Sequence, residues 1–316
     1  MSHSPALHFV SQAQRHFGWN RDLEPVLTVR PGEVVEVDTV DAGGGQLDAS
    51  STVADVGRFD FSGINPTFGP IFVEGAEPGD ALKVVILDLK TADWGWTANI
   101  PGFGLLADRF PEAALHIWRL DPATDAPTAF GPGGVVPVRP FPGIMGNALP
   151  EPGVHSVVNP RAYGGNMDTR DMTVGAEVLL PVGVPGALFS CGDGHAAQGD
   201  GEICGTAIET PMRMTLRLDL VKGAGLRFPR FTTPGRAACG LGGEGYDVTM
   251  AMGPDLLQNA RDCVSDMVDK VAAERGMAPV DAYMLCSVCA GLRISEIVDA
   301  PNWIVSCYFP RAVFQG

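Results

Sequence analysis

The stretch SCGDGHAAQGDGEICG, from Ser190 to Gly205, places Asp193, His195, Asp200 and Glu202 within ten residues. Carboxylate oxygens and an imidazole suit a divalent ion of the zinc kind, and a catalytic site keeps one coordination position for water or substrate. Gly192, Gly194, Gly199 and Gly201 would let the backbone turn sharply and approach a ligand closely. The competing reading is a calcium-like or ion-free acidic loop whose carboxylates cap turns and face solvent. No H-E-x-x-H pattern is present, so the ion is inferred from residue types and not from a metal motif.

A second cluster, YGGNMDTRD, spans residues 163–171. Here Asn166 and Asp168 follow a Gly-Gly pair that includes Gly165. An Asn can hold an amide or an oxyanion, and an Asp can bind metal or accept a proton. An ordinary Asx-rich turn would look the same. In NPTFGPIFVEGAEPGD, Asn65 and Glu74 flank a strand. A nucleophile could come from Ser190 or Cys191, but a thiolate needs positive surroundings and two Asp lie nearby. Of the six His, three fall in the first sixteen residues and read as surface groups, His116 reads as a wall residue, and His155 lies in a loop.

The elements that must position these groups are mostly strands. EPVLTVRPGEVVEVDTV (24–40) alternates apolar and polar residues around a Pro-Gly turn, as a hairpin or two successive strands would. Residues 69–90 give a strand, an EPGD turn and a second, strongly apolar strand. LHIWRLD, GVVPVRPFPGIMG, TVGAEVLLPVGVPGALFSCGD and TPMRMTLRLDLVKG continue as short strands cut by Gly and Pro. Residues 254–276 differ: Leu256, Leu257, Ala260, Cys263, Val264, Met267, Val268 and Val271 keep helical spacing between Pro254 and Gly276. A second helix is expected from Pro279 to about Leu292, with Asp281 in its first turn. The expected organisation is an N-terminal arm (1–22), a mainly β core (23–225) of sandwich- or barrel-like sheets, and a smaller α+β portion (226–316) packed on it.

The chain has 316 residues, 45% of them hydrophobic, which suffices for a large core. Its net charge of −15 disfavours nucleic acid and anionic membrane partners and admits a neutral or cationic small substrate. No signal peptide or membrane span is evident. The odd number of Cys, mostly in apolar patterns, reads as reduced thiols in a cytoplasmic protein, and Cys286-x-x-Cys289 has no second pair to complete a zinc site.

TFGPIFVEGAEPGD, GGNMDTRDM, GALFSCGDGHAAQGDGEICGTAIE and LRISEIVDAPNWIVSCYFPRAVF together resemble the acetamidase/formamidase family, in the family's order and across nearly the whole chain. The resemblance implies hydrolysis of small aliphatic amides to ammonia and a carboxylate by a largely β, cytoplasmic homo-oligomer. The matching positions are Asn166, Asp168, Asp193, His195, Asp200 and Glu202. On this basis Asp168, Asp193 and His195 are expected to hold a divalent ion, zinc with calcium as the alternative, and no organic cofactor is expected. Glu202, Asp200 and Asn166 are assigned to catalysis, and Asn65, Glu74 and Gly165 to binding a small uncharged amide. Where the family often has HPLTGP this chain has NPTFGP, so Asn65 replaces a His and Phe68 adds bulk. Phe68, Trp94 and Trp96 could shape a pocket for a cyclic or larger amide, or simply pack strands. A β protein that only chelates an ion is the rival from another class.

Overall fold

The Pro31-Gly32 turn carries the chain from one sheet to another instead of closing a hairpin. In the computed structural model, Leu27–Val29 runs parallel to Thr67–Val73, whereas Val34–Asp38 lies between Leu7–Val10 and Met212–Val221. The turn at residues 77–80 makes the same kind of crossing, because Thr67–Val73 and the next strand, Ala81–Thr91, also belong to different sheets. The physical reason is a shared core. Val29, Ile71, Val37 and Val84 all turn their side chains to one buried cluster, so successive strands must cover it from opposite sides. The structure describes residues 7–108, 110–130, 134–234, 244–279, 282, 285–286 and 290–314.

Among the described residues nine strands form the larger sheet, in the order Leu7–Val10, Val34–Asp38, Met212–Val221, Ala81–Thr91, Glu177–Pro181, Arg230–Thr232, Tyr246–Gly253, Trp303–Pro310 and Gly291–Glu296. The sheet runs across residue 225 without a break, so the chain on either side of that position shares one layer. The smaller sheet places Gly164–Asn166, Phe141–Gly146, Phe189–His195, Thr67–Val73 and Arg15–His16 side by side. Two hairpins, Trp94–Asn99 with Ala114–Arg119 and Thr128–Phe130 with Gly134–Val136, complete the described strands. The fold is mainly β, as expected.

Leu256–Arg275 is the amphipathic helix read from the spacing. Asp255 caps its start by accepting from Gln258 N, and Gly276 ends it at φ +62°. It buries Cys263, Met267 and Val271 against Ala251, Val305, Cys307 and Phe309. The alternate residues Val248, Met250, Ile304 and Tyr308 face the core between the sheets. Period-two alternation thus lets two strands serve two cores. Of the expected second helix, Pro279, Ala282, Leu285 and Cys286 are helical, and Asp281 lies outside the described residues. It does not reach Leu292, which belongs to the edge strand Gly291–Glu296, where Leu292 and Ile294 are exposed. Among the described residues no helix is long and apolar enough to cross a membrane.

Candidate active site

Ser190–His195 is not a loop. It belongs to the buried strand Phe189–His195, where Gly192 and Gly194 serve close packing instead of turning. Strand Phe141–Gly146 runs beside it and pairs Pro142 with Gly194 and Ile144 with Gly192, which leaves Gly143 opposite Asp193. The Gly143 carbonyl accepts from the backbone N–H groups of Met167 and Asp168 at 2.9 and 3.2 Å, so one glycine seats the second acidic motif against the first. A Cβ at Gly143 would stand 2.9 Å from His195 Cε1 and closer still to Asp168 Oδ1 and Asp193 Oδ2. A glycine inside a strand often marks such an approach, and this was the available sequence signal for a residue that motif reading missed.

The result is a buried acidic cluster. His195 Nε2 lies 3.1 Å from Asp193 Oδ1, 3.0 Å from Glu209 Oε2 and 3.9 Å from Glu202 Oε1, while Nδ1 is 3.8 Å from Asp168 Oδ1. Asp168, Asp193 and His195 form one potential metal-binding group, and His195, Glu202 and Glu209 form another. Glu296 and Asp299 are also buried. Asn166 donates through Nδ2 to Asp299 Oδ2 and leaves its own Oδ1 without a partner. Glu202 is brought in by a loop whose Gly201 N–H donates to Ser295 O at 3.0 Å.

Four of these groups sit on an unusual backbone. Asn65, Asp168, Asp193 and Glu202 have φ of +47°, +41°, +56° and +46°. Such conformations cost about 1–3 kcal/mol each and persist where the surroundings over-determine them, commonly at functional sites.

Electrostatics points the same way. Burial, reinforced by neighbouring carboxylates, holds the Asp168, Glu202 and Asp299 carboxyls well above the usual range. Burial also pushes Glu209 and Glu296 up to about 7. For His195, burial works against protonation, but Asp193 and Glu209 more than offset it and hold the ring pKa well above its ordinary value. Both Asp168 oxygens and His195 Nδ1 lack hydrogen-bond partners despite burial. A buried acceptor set this rich in negative charge fits a divalent cation, which would neutralise the carboxylates and satisfy the unpartnered atoms.

A cavity of about 240 Å³ opens onto the cluster, and its polar lining includes Asn65, Asn166, Asp193, Glu202, Glu209 and Asp299. Glu202 and Thr206 also line a neighbouring cavity of about 450 Å³. Asn65, Asn166, Asp168, Asp193, His195 and Glu202 are therefore brought together. Asp200 and Glu74 are not. Asp200 pairs with Arg170 at 3.1 Å on the rim of the larger cavity, and Glu74 is exposed beyond the end of its strand. Gly165 is buried beside Asn166, but its backbone pairs with Met145 and it lines neither cavity.

The two nucleophile candidates line neither cavity. Cys191 is fully buried, and burial pushes its thiol up to about 12. Ser190 Oγ lies 2.9 Å from His16 Nε2, so His16 is an internal partner and not the surface group expected. Burial lowers the His16 ring to about 4. Glu209, Glu296 and Asp299 are site residues that the sequence reading did not single out. Of the aromatics, Trp96 lines the smaller cavity, Phe68 is buried in the main core, and Trp94 packs in the outer hairpin cluster. Cys289 lies outside the described residues.

The sequence model of the Acetamidase/Formamidase family matches residues 6–154 and 151–316. A formamidase of Methylophilus methylotrophus is 29% identical, over 96% of this chain and 90% of its own length. The crystal structure of an acetamidase from Bacillus halodurans superimposes with a TM-score of 0.87 at 28% identity, covering 97% of this chain and 98% of that one. A predicted acetamidase/formamidase from Thermoanaerobacter tengcongensis gives 0.88 at 29%, with 98% and 97% covered. A γ-lactamase from Delftia acidovorans shares the fold less closely, at 0.67 and 26% identity, with 96% and 90% covered. With the match running from the first strand to the last, the chain belongs to the acetamidase/formamidase family.

Proposed function

We propose that this protein hydrolyses small aliphatic amides at the cluster around His195, giving a carboxylate and ammonia. The observation that carries the reading is the set of unpartnered buried acceptors, Asp168 Oδ1 and Oδ2 with His195 Nδ1, beside a cavity of substrate size. Asp168, Asp193 and His195 would hold a divalent ion, taken as zinc, with Glu209 adjoining them. Such an ion supplies Lewis-acid polarisation and a more acidic water.

The chain's own residues supply the rest. Glu202 reaches the cavity as a buried carboxylate, and burial beside other carboxylates raises its affinity for protons, as a group that moves a proton requires. It takes the proton of the attacking water and returns it to the departing nitrogen. Asn166 is oriented by Asp299, and its free Oδ1 accepts from the substrate NH₂ group, in place of the oxyanion role that the residue type suggests. Asn65 lines the same wall. Asp200 takes no part in the step and holds Arg170 at the rim. The same reading takes the enzyme to be a cytoplasmic homo-oligomer; light scattering checks the oligomer and cell fractionation the compartment.

The test is ammonia release from formamide, acetamide, propionamide and a γ-lactam, before and after chelation, with metal analysis. Glu202→Gln should keep fold and metal content while turnover falls by about 10²–10⁴-fold. Turnover at the wild-type level in that variant sinks the assignment of the base.

A further inference from the structure

The cavity at the cluster is larger than a formamide or acetamide needs. Its volume of about 240 Å³ holds about eight water-sized groups at roughly 30 Å³ each. Acetamide together with an attacking water would leave about a third to a half of that space unfilled.

The lining holds apolar as well as polar groups. Besides the carboxylates, it includes Phe59, Phe61, Trp96, Ile100 and Phe103. The one polar atom of Trp96, Nε1, is occupied by Asp41 Oδ1 at 2.9 Å, so its ring presents only apolar surface. Phe59 leans on that ring with centroids 5.7 Å apart. Gly205, at φ +85°, lies against the Phe103 ring so closely that a Cβ there would overlap it. Among the described residues no Lys or Arg lines this cavity. An anionic acyl group would therefore meet no cationic side chain in this lining.

We propose that this aromatic lining is an acyl subsite for primary amides bearing a compact, uncharged, apolar group larger than methyl, branched alkyl or phenyl. Amides of this class are then better ligands and substrates than formamide or acetamide, whose acyl groups cover less of this apolar lining. The proposal rests on the amidase reading above. In the reaction the water oxygen bonds to the acyl carbon, the C–N bond breaks, and the nitrogen leaves as ammonia with the proton it has gained. Binding energy from the remote acyl group is useful because it is realised at the transition state.

The experiment compares kcat/KM for formamide, acetamide, isobutyramide and benzamide on the metal-loaded enzyme, and on Phe61→Ala. Phe61 is 56% exposed, so its truncation leaves the core intact. The expected result is a rise of about tenfold or more from acetamide to the best apolar amide, since one methylene in a fitted pocket is worth about 10–200-fold. In Phe61→Ala the ratio of benzamide to acetamide kcat/KM should fall. Ammonia from acetamide with kcat/KM declining as the acyl group grows overturns the subsite and leaves the amidase reading standing. A thermal shift with benzamide separates the remaining cases. Stabilisation that Phe61→Ala weakens, with no ammonia from any amide, supports the subsite and overturns the amidase reading. Neither ammonia nor stabilisation overturns both.

Discussion

Gly143 has no functional group, yet Asp168, Asp193 and His195 all pack where its side chain would be. Gly143→Ala should keep the far-UV circular dichroism of the wild type and lose its metal. It should lower kcat/KM by about 10²-fold, the usual cost of displacing reacting groups by an ångström. Full metal occupancy and wild-type activity in that variant would show that the cluster tolerates the displacement. Residues of this kind decide how much of a site can be read from sequence. Asp193, His195 and Glu202 were legible because they crowd one short stretch, and Asp168 because it follows a Gly-Gly pair. Glu209, Glu296 and Asp299 were not, since each sits in an ordinary strand or turn context and acquires its role only by burial beside residues distant in sequence. Asp200 and Glu74 show the converse. Their local patterns look functional, but one neutralises a rim arginine and the other faces solvent.

At the scale of elements, periodicity located the strands and the long helix, but turns did not show which strands pair. The Pro31-Gly32 turn has hairpin chemistry yet separates strands of two sheets, because a shared core between sheets outweighs local turn preference. The helix Leu256–Arg275 was the clearest element because a single stripe of apolar residues meets a single set of partners. That packing gives a direct expectation. Met267 is fully buried between the helix and the strands beneath it. Met267→Ala should cost about 2–5 kcal/mol by transfer and cavity formation, read as a lower urea midpoint. The acidic cluster around His195 lies on the other sheet and on loops, so the proposed metal content should stay at the wild-type value. Loss of metal in a variant that still folds would show that helix and site are coupled.

Across the whole molecule, the buried carboxylates should make stability depend on pH and, on the proposed reading, on metal. Glu209 and Glu296 titrate at about 7 in the fold against an ordinary 4.5, chiefly because burial opposes their charge. A carboxyl whose pKa is raised by folding stabilises the fold while it is protonated. That contribution is complete below the unfolded value of about 4.5 and is lost as pH rises through about 7. Metal-free protein should therefore melt several degrees lower at pH 8 than at pH 6. A divalent ion binds the deprotonated groups and reverses the trend, so the gain in Tm on adding zinc should grow with pH. General repulsion from a net charge of −15 acts in the same direction in metal-free protein. Glu296→Gln separates the two effects, because it removes one buried titration and changes the surface charge little. Its metal-free form should lose part of the decline between pH 6 and pH 8. A metal-free wild type that melts higher at pH 8 than at pH 6, or a zinc increment that does not change with pH, would refute the view that these carboxylates are held in place against their own charge.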